Sequence, residues 1–359
     1  MIGEANVRFS MIGGPTGSAR RSLASTSGAV PVALGLGLGY RPQCGQPADV
    51  EAVPDAHADL EAPYAVDLGA VLGLFVRGKH DPSWRVGGDG SWWWATRTPD
   101  GPGSLRLTPA GKGHVTAAAW GPGAGWVVDD VPSLLGFDDD PRGFPAHELP
   151  AALQDHWRRL GDRWRVPASG RVLEALIAAV FEQKVTGIES RRAWRGLLVG
   201  VGEVAPGPTP PGMRVLPEPA VIRSVPSWDW HRWGSRPQQA ATIMRALGVA
   251  GRLEQCAALP TLEARRRLMA IDGVGEWTAA EVGARALGDA DAVSFGDFHL
   301  AGQLVYAFTG RRDGTDADMA VLLEPFTGHR HRVQRLVELS GISKPARGPR
   351  ASVTDHRRR

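Results

Sequence analysis

Asp297 is the residue of this sequence best placed to do chemistry. It follows Gly296 at the head of the apolar-periodic segment FHLAGQLVYAF, the position of an N-cap whose carboxylate accepts the first backbone N–H groups of a helix. An anion fixed there also suits a reaction in which a sugar carbon acquires oxocarbenium character, so the capping and catalytic roles are compatible. Upstream, LMAIDGVGEWTAAEV joins an apolar helix end to a new helix near Glu276 through Gly273-Val274-Gly275. The glycines let the backbone bend and approach a neighbour that a Cβ would push away. N–H groups opening the second helix then form a cradle for a phosphate oxygen. Gly273, Val274, Gly275 and Thr278 are therefore candidates for gripping a nucleic-acid backbone, a contact that carries no sequence information.

Positioning these groups takes helices, and helical periods fill the chain after Pro132: HELPAALQDHWRRLGDRW, VLEALIAAVFEQKV, RRAWRGLLVGV, QQAATIMRALGVAGRLEQCAAL and LEARRRLMAI. From Tyr64 to about Val131 the runs DLGAVLGLFVRG, SWWWATRT, GSLRLTP, HVTAAAWG and AGWVVDDV are punctuated by Gly, Pro and Asp, which predicts an antiparallel sheet. Within it, Trp92-Trp93-Trp94 resembles a stacking platform for single strands. Successive strand residues point to opposite faces, so at most alternate rings share a surface, and packing of the sheet against the helices is the favoured role. The cluster Val204 to Pro219 is expected as a loop between helices. The expected organisation is an extension over 1–59, disordered or translated from an upstream start, a sheet domain over 60–132, a helical core over 133–342 and a basic disordered tail over 343–359.

Among 359 residues, 43% are hydrophobic and 22% charged, enough for a packed core of more than one domain. A net charge of +3 is a mild bias toward a polyanion and alone would not identify one. Cys44 and Cys256 are too few for a disulfide framework, a Cys-rich zinc site or a four-cysteine iron–sulfur cluster. No run is long and apolar enough to span a membrane. Arg20-Arg21 before VPVALGLGLGY imitates an export signal, but glycine dominates its apolar part and no small-residue cleavage site follows. A cytoplasmic monomer with no membrane partner is expected.

The order hairpin, second helix, short run AVSFGDFHL, Gly-Asp and new helix resembles the helix-hairpin-helix (HhH-GPD) base-excision DNA glycosylases, whose single essential carboxylate stands where Asp297 stands. EALIAAVFEQKVTG (Glu174 to Gly187) resembles that family's helix leading into a Glu-Gln-x-Val turn, and LLGFDDDPRGF its approach to the helical region. The span from about Tyr64 to Gly341 is similar to the DNA-3-methyladenine glycosylase II branch. The resemblance implies an α+β protein, a small antiparallel sheet on a mostly helical core, with damaged double-stranded DNA as partner. It further implies excision of alkylated purines of the 3-methyladenine and 7-methylguanine type.

Trp277 occupies the place where bifunctional relatives carry a lysine that forms a Schiff base. An indole cannot, so the resemblance implies base release without strand cleavage. Trp277 is then expected in the base pocket, stacking on an extruded base, against the alternative of a core tryptophan. Phe298 offers a second pocket ring or a core residue, and His299 a structural hydrogen bond. Gln183 and Lys184 stand where the family fills the gap left by the flipped nucleotide; Lys184 is alternatively a solvated helix-end lysine. Glu281 stands where the branch often has a second aromatic, and the last helix, HRHRVQRLVELSG, has none, which leaves the aromatic cage incomplete. No metal or cofactor is expected to be required; the resemblance implies a structural sodium or potassium ion at the hairpin carbonyls. Two other functions stay open: excision of deaminated or other neutral bases, and damage sensing without catalysis.

Overall fold

The computed structural model describes residues 52–111, 113–161 and 163–345, with the backbone of the strand Val7–Phe9. The Arg20-Arg21 stretch, Cys44 and the tail beyond residue 345 lie outside the described residues. Strands β1 (Val7–Phe9), β2 (Ala56–Glu61), β3 (Trp84–Val86), β4 (Trp92–Thr98), β5 (Gly101–Gly111) and β6 (His114–Trp120) form an antiparallel sheet in the order β1-β2-β6-β5-β4-β3. The sheet thus begins inside the expected 1–59 extension. AHADLE alternates, and β2 lies between β1 and β6 with Ala58 and Leu60 buried.

Alternation also splits the tryptophan triplet. Trp94 stacks on Trp84 at 5.4 Å, and Trp84 on Phe75 at 5.3 Å, on one side of the sheet, while Trp93 stacks on Trp120 at 5.5 Å on the other. Such pairs contribute about 0.5–1.5 kcal/mol each beyond the area they bury. The rings are packing, not a strand-binding platform.

Two runs expected as strands are helices. DLGAVLGLFVRG contains α1 (Leu68–Leu72), where the Asp67 side chain accepts the Ala70 N–H at 3.1 Å, and AGWVVDDV contains α2 (Ala124–Asp129), leading into α3 (Val131–Leu134). Apolar runs this short have no decisive period, so capping and packing of α2 on β5 and β6 choose the helix.

The remaining helices are α4 (Ala151–Leu160), α5 (Val172–Glu182), α6 (Gly187–Val201), α7 (Pro219–Arg223), α8 (Ser227–Trp233), α9 (Pro237–Gly248), α10 (Ala250–Glu254), α11 (Thr261–Met269), α12 (Glu276–Ala286), α13 (Leu300–Thr309), α14 (Asp316–Leu323) and α15 (Arg330–Ser340). Between α6 and α7 the expected loop carries a hairpin, β7 (Glu203–Val204) with β8 (Arg214–Val215). No helix among the described residues is long and apolar enough to cross a membrane.

Packing divides this mixed α+β chain differently from the expected 60–132 and 133–342. One core joins the sheet and α1–α4 to α13–α15 through Leu105, Leu107, Val131, Leu153, Leu304 and Leu336. The other is a continuous stretch around α5–α12, with Leu176, Ile177, Leu197, Ile243, Leu268 and Val282 inside. Each such side chain contributes about 1.5–3 kcal/mol when fully buried. The chain leaves the first core after Val166 and re-enters it at Val293. Its two crossings lie side by side, the N–H groups of Ser169 and Gly170 donating to the carbonyls of Arg285 and Ala286 at 3.0 Å.

Candidate active site at the seam between the two cores

The hairpin forms as its glycines suggest, but the two glycines do different work. Gly273 has φ 94°, and a Cβ there would lie 2.1 Å from Thr242 Oγ1 on α9. It is fixed by backbone conformation and by close packing together. Gly275 caps α12 with extended backbone, and a Cβ there would meet nothing. Its surroundings are open to a ligand. Val274 is buried in the second core, so the hairpin is anchored by its middle residue and open at its glycines.

Gln183 braces this turn from behind. Its amide nitrogen donates to the Gly273 carbonyl at 2.8 Å and to Thr278 Oγ1 at 2.9 Å, while the Gln239 amide holds the carbonyls of Phe181 and Gln183 at 3.0 and 3.1 Å. Gln183, expected at the gap, therefore faces the hairpin rather than a nucleotide. Thr278, expected on the phosphate, is buried and already bonded to Gln183. Lys184 is exposed, with φ 53°, the one non-glycine among the described residues in the left-handed region. Such a residue costs about 1–2 kcal/mol and persists where its neighbours over-determine it. Here Gln183 is clamped on one side, and the reciprocal Thr186–Glu189 capping box fixes the other.

Asp297 stands on the strand of chain that re-enters the first core. Its Oδ1 accepts the N–H groups of His299 and Leu300 at 2.8 and 2.9 Å, so it caps α13 as the sequence predicts, although the regular helix starts only at Leu300. Gly296, at φ 84°, turns the chain into this cap, and its N–H donates to Asp316 at 3.0 Å. The other carboxylate oxygen, Oδ2, accepts the indole N–H of Trp277 at 3.3 Å. Asp297 and Trp277 are both half-buried. The structure thus brings the expected catalytic residue and pocket tryptophan together across the seam, by a hydrogen bond that spacing alone could not reveal.

Phe298 departs from expectation. It is neither core nor pocket wall: it is 92% exposed, with only the edge of His299 against it at 4.8 Å. The residue preceding α13 must turn outward because Asp297 and Leu300 turn inward on either side.

Sequence reasoning missed the polar groups beneath Asp297. Trp277, Glu281 and Arg285 recur one turn apart on a single face of α12. Glu281 is paired to Arg285 and accepts the Ser294 hydroxyl, and the Asp297 N–H donates to the Ser294 carbonyl at 3.2 Å. Glu281 and Trp277 are therefore two rungs from α12 to the catalytic loop. Glu182, the last residue of α5, joins this cluster: burial pushes its pKa up, Arg285 pulls it down, and Glu281 and Asp297 push it up again. From α15, His331 faces Glu281 and Arg285, and burial holds its pKa down at about 3. Neither of its ring nitrogens has a hydrogen-bond partner. The last helix thus offers polar groups where an aromatic cage would need rings. A glutamate four residues before an arginine was the legible signal for the pair; nothing local pointed to Ser294 or His331.

No group of three His, Cys, Asp or Glu among the described residues could hold a metal ion. Of the hairpin carbonyls expected to face a cation, that of Asp272 accepts Arg245 at 3.1 Å and that of Gly273 accepts Gln183, so these two are engaged by donors and no step is routed through an ion there.

No protein-family model and no curated protein matches the chain. Solved structures do. The chain is similar to a 3-methyladenine DNA-glycosylase from Archaeoglobus fulgidus, with a TM-score of 0.65 and 16% identity over 79% of this chain and 97% of that one. It is similar to MBOgg1 in complex with a low-affinity DNA ligand, with a TM-score of 0.60 and 16% identity over 79% of this chain and 95% of that one. An 8-oxoguanine glycosylase/lyase from Clostridium acetobutylicum in its apo form gives 0.60 and 12% over 79% and 96%. Through four-fifths of its length, sheet and both helical lobes included, the chain has the fold of the DNA glycosylases.

Proposed function

We propose that the protein is a monofunctional DNA glycosylase that extrudes a damaged base from duplex DNA and hydrolyses its N-glycosidic bond, with alkylated purines of the 3-methyladenine and 7-methylguanine type as substrates. The observation that carries this reading is the Trp277 indole N–H on the Asp297 carboxylate, at the seam of the two cores and beside a hairpin whose glycine face is open. A backbone phosphate would rest on the N–H groups opening α12. The extruded base would stack on the indole, and the bond from Trp277 to Asp297 would fix the carboxylate relative to that base. Asp297 then stabilises the developing sugar cation or orients water toward C1′.

A cationic N-alkylpurine is attracted to an indole face by about 0.5–2 kcal/mol and is a good leaving group. The site lacks an amine to attack C1′ because Trp277 stands in that place, so the abasic strand is left uncut. Neutral damaged bases are a second reading, favoured by the Glu281–Arg285 pair where the resemblance leads one to expect a ring. Release of free base from alkylated, deaminated and undamaged duplexes, measured in parallel with wild type and Asp297→Asn, tests the proposal. Binding without release of any base by wild type would leave a damage sensor in its place.

A further inference from the structure

Three carboxylates, Asp297, Glu281 and Glu182, converge on one guanidinium, that of Arg285. Their roles are not equivalent. Asp297 is spent on two backbone N–H groups and the Trp277 indole, and Glu281 on Arg285 and the Ser294 hydroxyl. Glu182 has no such set of donors. Its backbone is fixed by the Gln239 clamp on the carbonyls of Phe181 and Gln183, and the Gln183 amide ties it to the hairpin that carries Trp277. The charged groups that face it are Arg285 and Glu281 of α12, Arg77 from the loop after α1, and Asp297 from the catalytic loop. His331 reaches the same Arg285–Glu281 pair from α15 with both ring nitrogens unpartnered, although only 2% of its surface is exposed. A buried cluster of this kind cannot keep three anions opposite one nearby cation at low cost.

We propose that Glu182 is the second acid of this site and gives its proton to the departing base, so that neutral damaged purines are excised as well as cationic ones. The inference rests on the glycosylase reading above. Burial, the first cause of the upward shift of Glu182, keeps that proton in place while Asp297 stays free to act on the sugar. In the step, the C1′–N bond breaks and its electron pair moves onto the base. Glu182 transfers its proton to a ring nitrogen of the base, water adds to C1′, and the proton lost by water is taken by Asp297. The products are the neutral free base, an abasic sugar with a hydroxyl at C1′, ionised Glu182 and protonated Asp297; exchange with solvent restores both. A base already cationic leaves without that proton, so only the neutral class depends on Glu182.

The test uses the full chain and two matched duplexes, one with 7-methylguanine and one with hypoxanthine, in single-turnover release as a function of pH. For wild type the ratio of hypoxanthine to 7-methylguanine release should fall about tenfold per pH unit once Glu182 ionises, a comparison that cancels any pH dependence of Asp297. Glu182→Gln should lower hypoxanthine release at least about tenfold, abolish that slope, and leave 7-methylguanine release within about twofold. Equal losses on both duplexes, no loss on either, or a wild-type ratio flat with pH would overturn the proposal. Failure of wild type to release either base would sink the glycosylase reading itself, and release of 7-methylguanine alone at every pH would sink only the role of Glu182. The wild-type ratio needs no variant, so the test stands even if Glu182→Gln does not fold.

Discussion

The second core is one continuous stretch of chain around α5–α12, whereas the first is assembled from two stretches that meet only when α13–α15 pack against the sheet and α1–α4. The hairpin belongs to the continuous core and Asp297 to the assembled one. What grips the backbone is therefore local in sequence, and what acts on the sugar depends on closure of the long excursion from Val166 to Val293. Two rungs, Trp277 to Asp297 and Glu281 to Ser294, register one core on the other. Binding and catalysis should accordingly be separable by mutation.

The largest separation is expected from Asp297→Asn. It keeps the cap geometry and removes the anion, so base release should drop on the order of 10²- to 10³-fold. Binding to duplex should hold or tighten, since a negative charge near phosphate is lost. Retention of most of the activity would remove Asp297 from the chemistry. Within the hairpin the comparison narrows to two glycines. Gly273→Val should cost about 1–3 kcal/mol from backbone strain and a similar amount from collision with Thr242, seen as a lowered Tm. Gly275→Val meets nothing in the free protein and should leave Tm unchanged while weakening binding to all duplexes alike. Equal Tm losses for the two would show that both glycines serve folding only.

A charge pair across the seam gives a pH test. Asp130, at the junction of α2 and α3 in the first core, faces Arg171, which opens α5 of the second; burial pushes its pKa from 3.8 to about 8 despite that cation. A folded pKa above the unfolded one means the protonated form is favoured by folding. Its contribution is full below the unfolded pKa, about 3.8, and is lost as pH rises toward about 8. Thermal melts across that range should decline for wild type and decline less for Asp130→Asn, a difference on the order of a few kcal/mol at its widest. Parallel profiles would show that the seam is not tuned by this group.

How far the sequence reached follows the same division. The hairpin, the capping carboxylate and Trp277 were legible because their geometry is set within a few residues: a tight turn, an N-cap, a helix face. The helical identity of α1 and α2 was not, because short apolar runs between glycines and prolines take their form from the sheet they cover. Nor was the division into two cores, since no local pattern says that Val293 returns to the partners of Val131. Glu281 was visible as a departure from an aromatic cage, but the meaning of that departure lay in Ser294, Arg285, Glu182 and His331, which three separate elements bring to it.

Trp277→Phe probes the rung itself: it keeps a ring for stacking and removes only the N–H on Asp297. Loss of a hydrogen bond to a charged group is worth about 1.5–3 kcal/mol, and at 3.3 Å this one belongs at the low end, so release should slow about tenfold on cationic and neutral bases alike. Trp277→Leu removes the ring as well and should slow the cationic substrate further, through the lost cation–π attraction. If Phe behaves as wild type while Leu does not, Trp277 serves the base and not the carboxylate.

The smallest effect is expected at the amino terminus. Deleting residues 1–51 removes the strand Val7–Phe9, which adds only three residue pairs at the edge of β2 and leaves β2 and β6 paired. A short edge strand contributes little to the sheet it borders, so Tm should stay within about 0.5 kcal/mol of wild type and base release should not change. Extending the deletion through Glu61 is different in kind. It removes β2 with buried Ala58 and Leu60, exposes the β6 edge, and takes apolar surface out of the core that carries Asp297. That variant should melt lower and lose base release before it loses backbone binding, because the hairpin sits in the other core. A deletion through residue 51 that already lowered Tm would show that the amino-terminal stretch is part of the sheet domain, and the first core would then be assembled from three stretches of chain instead of two.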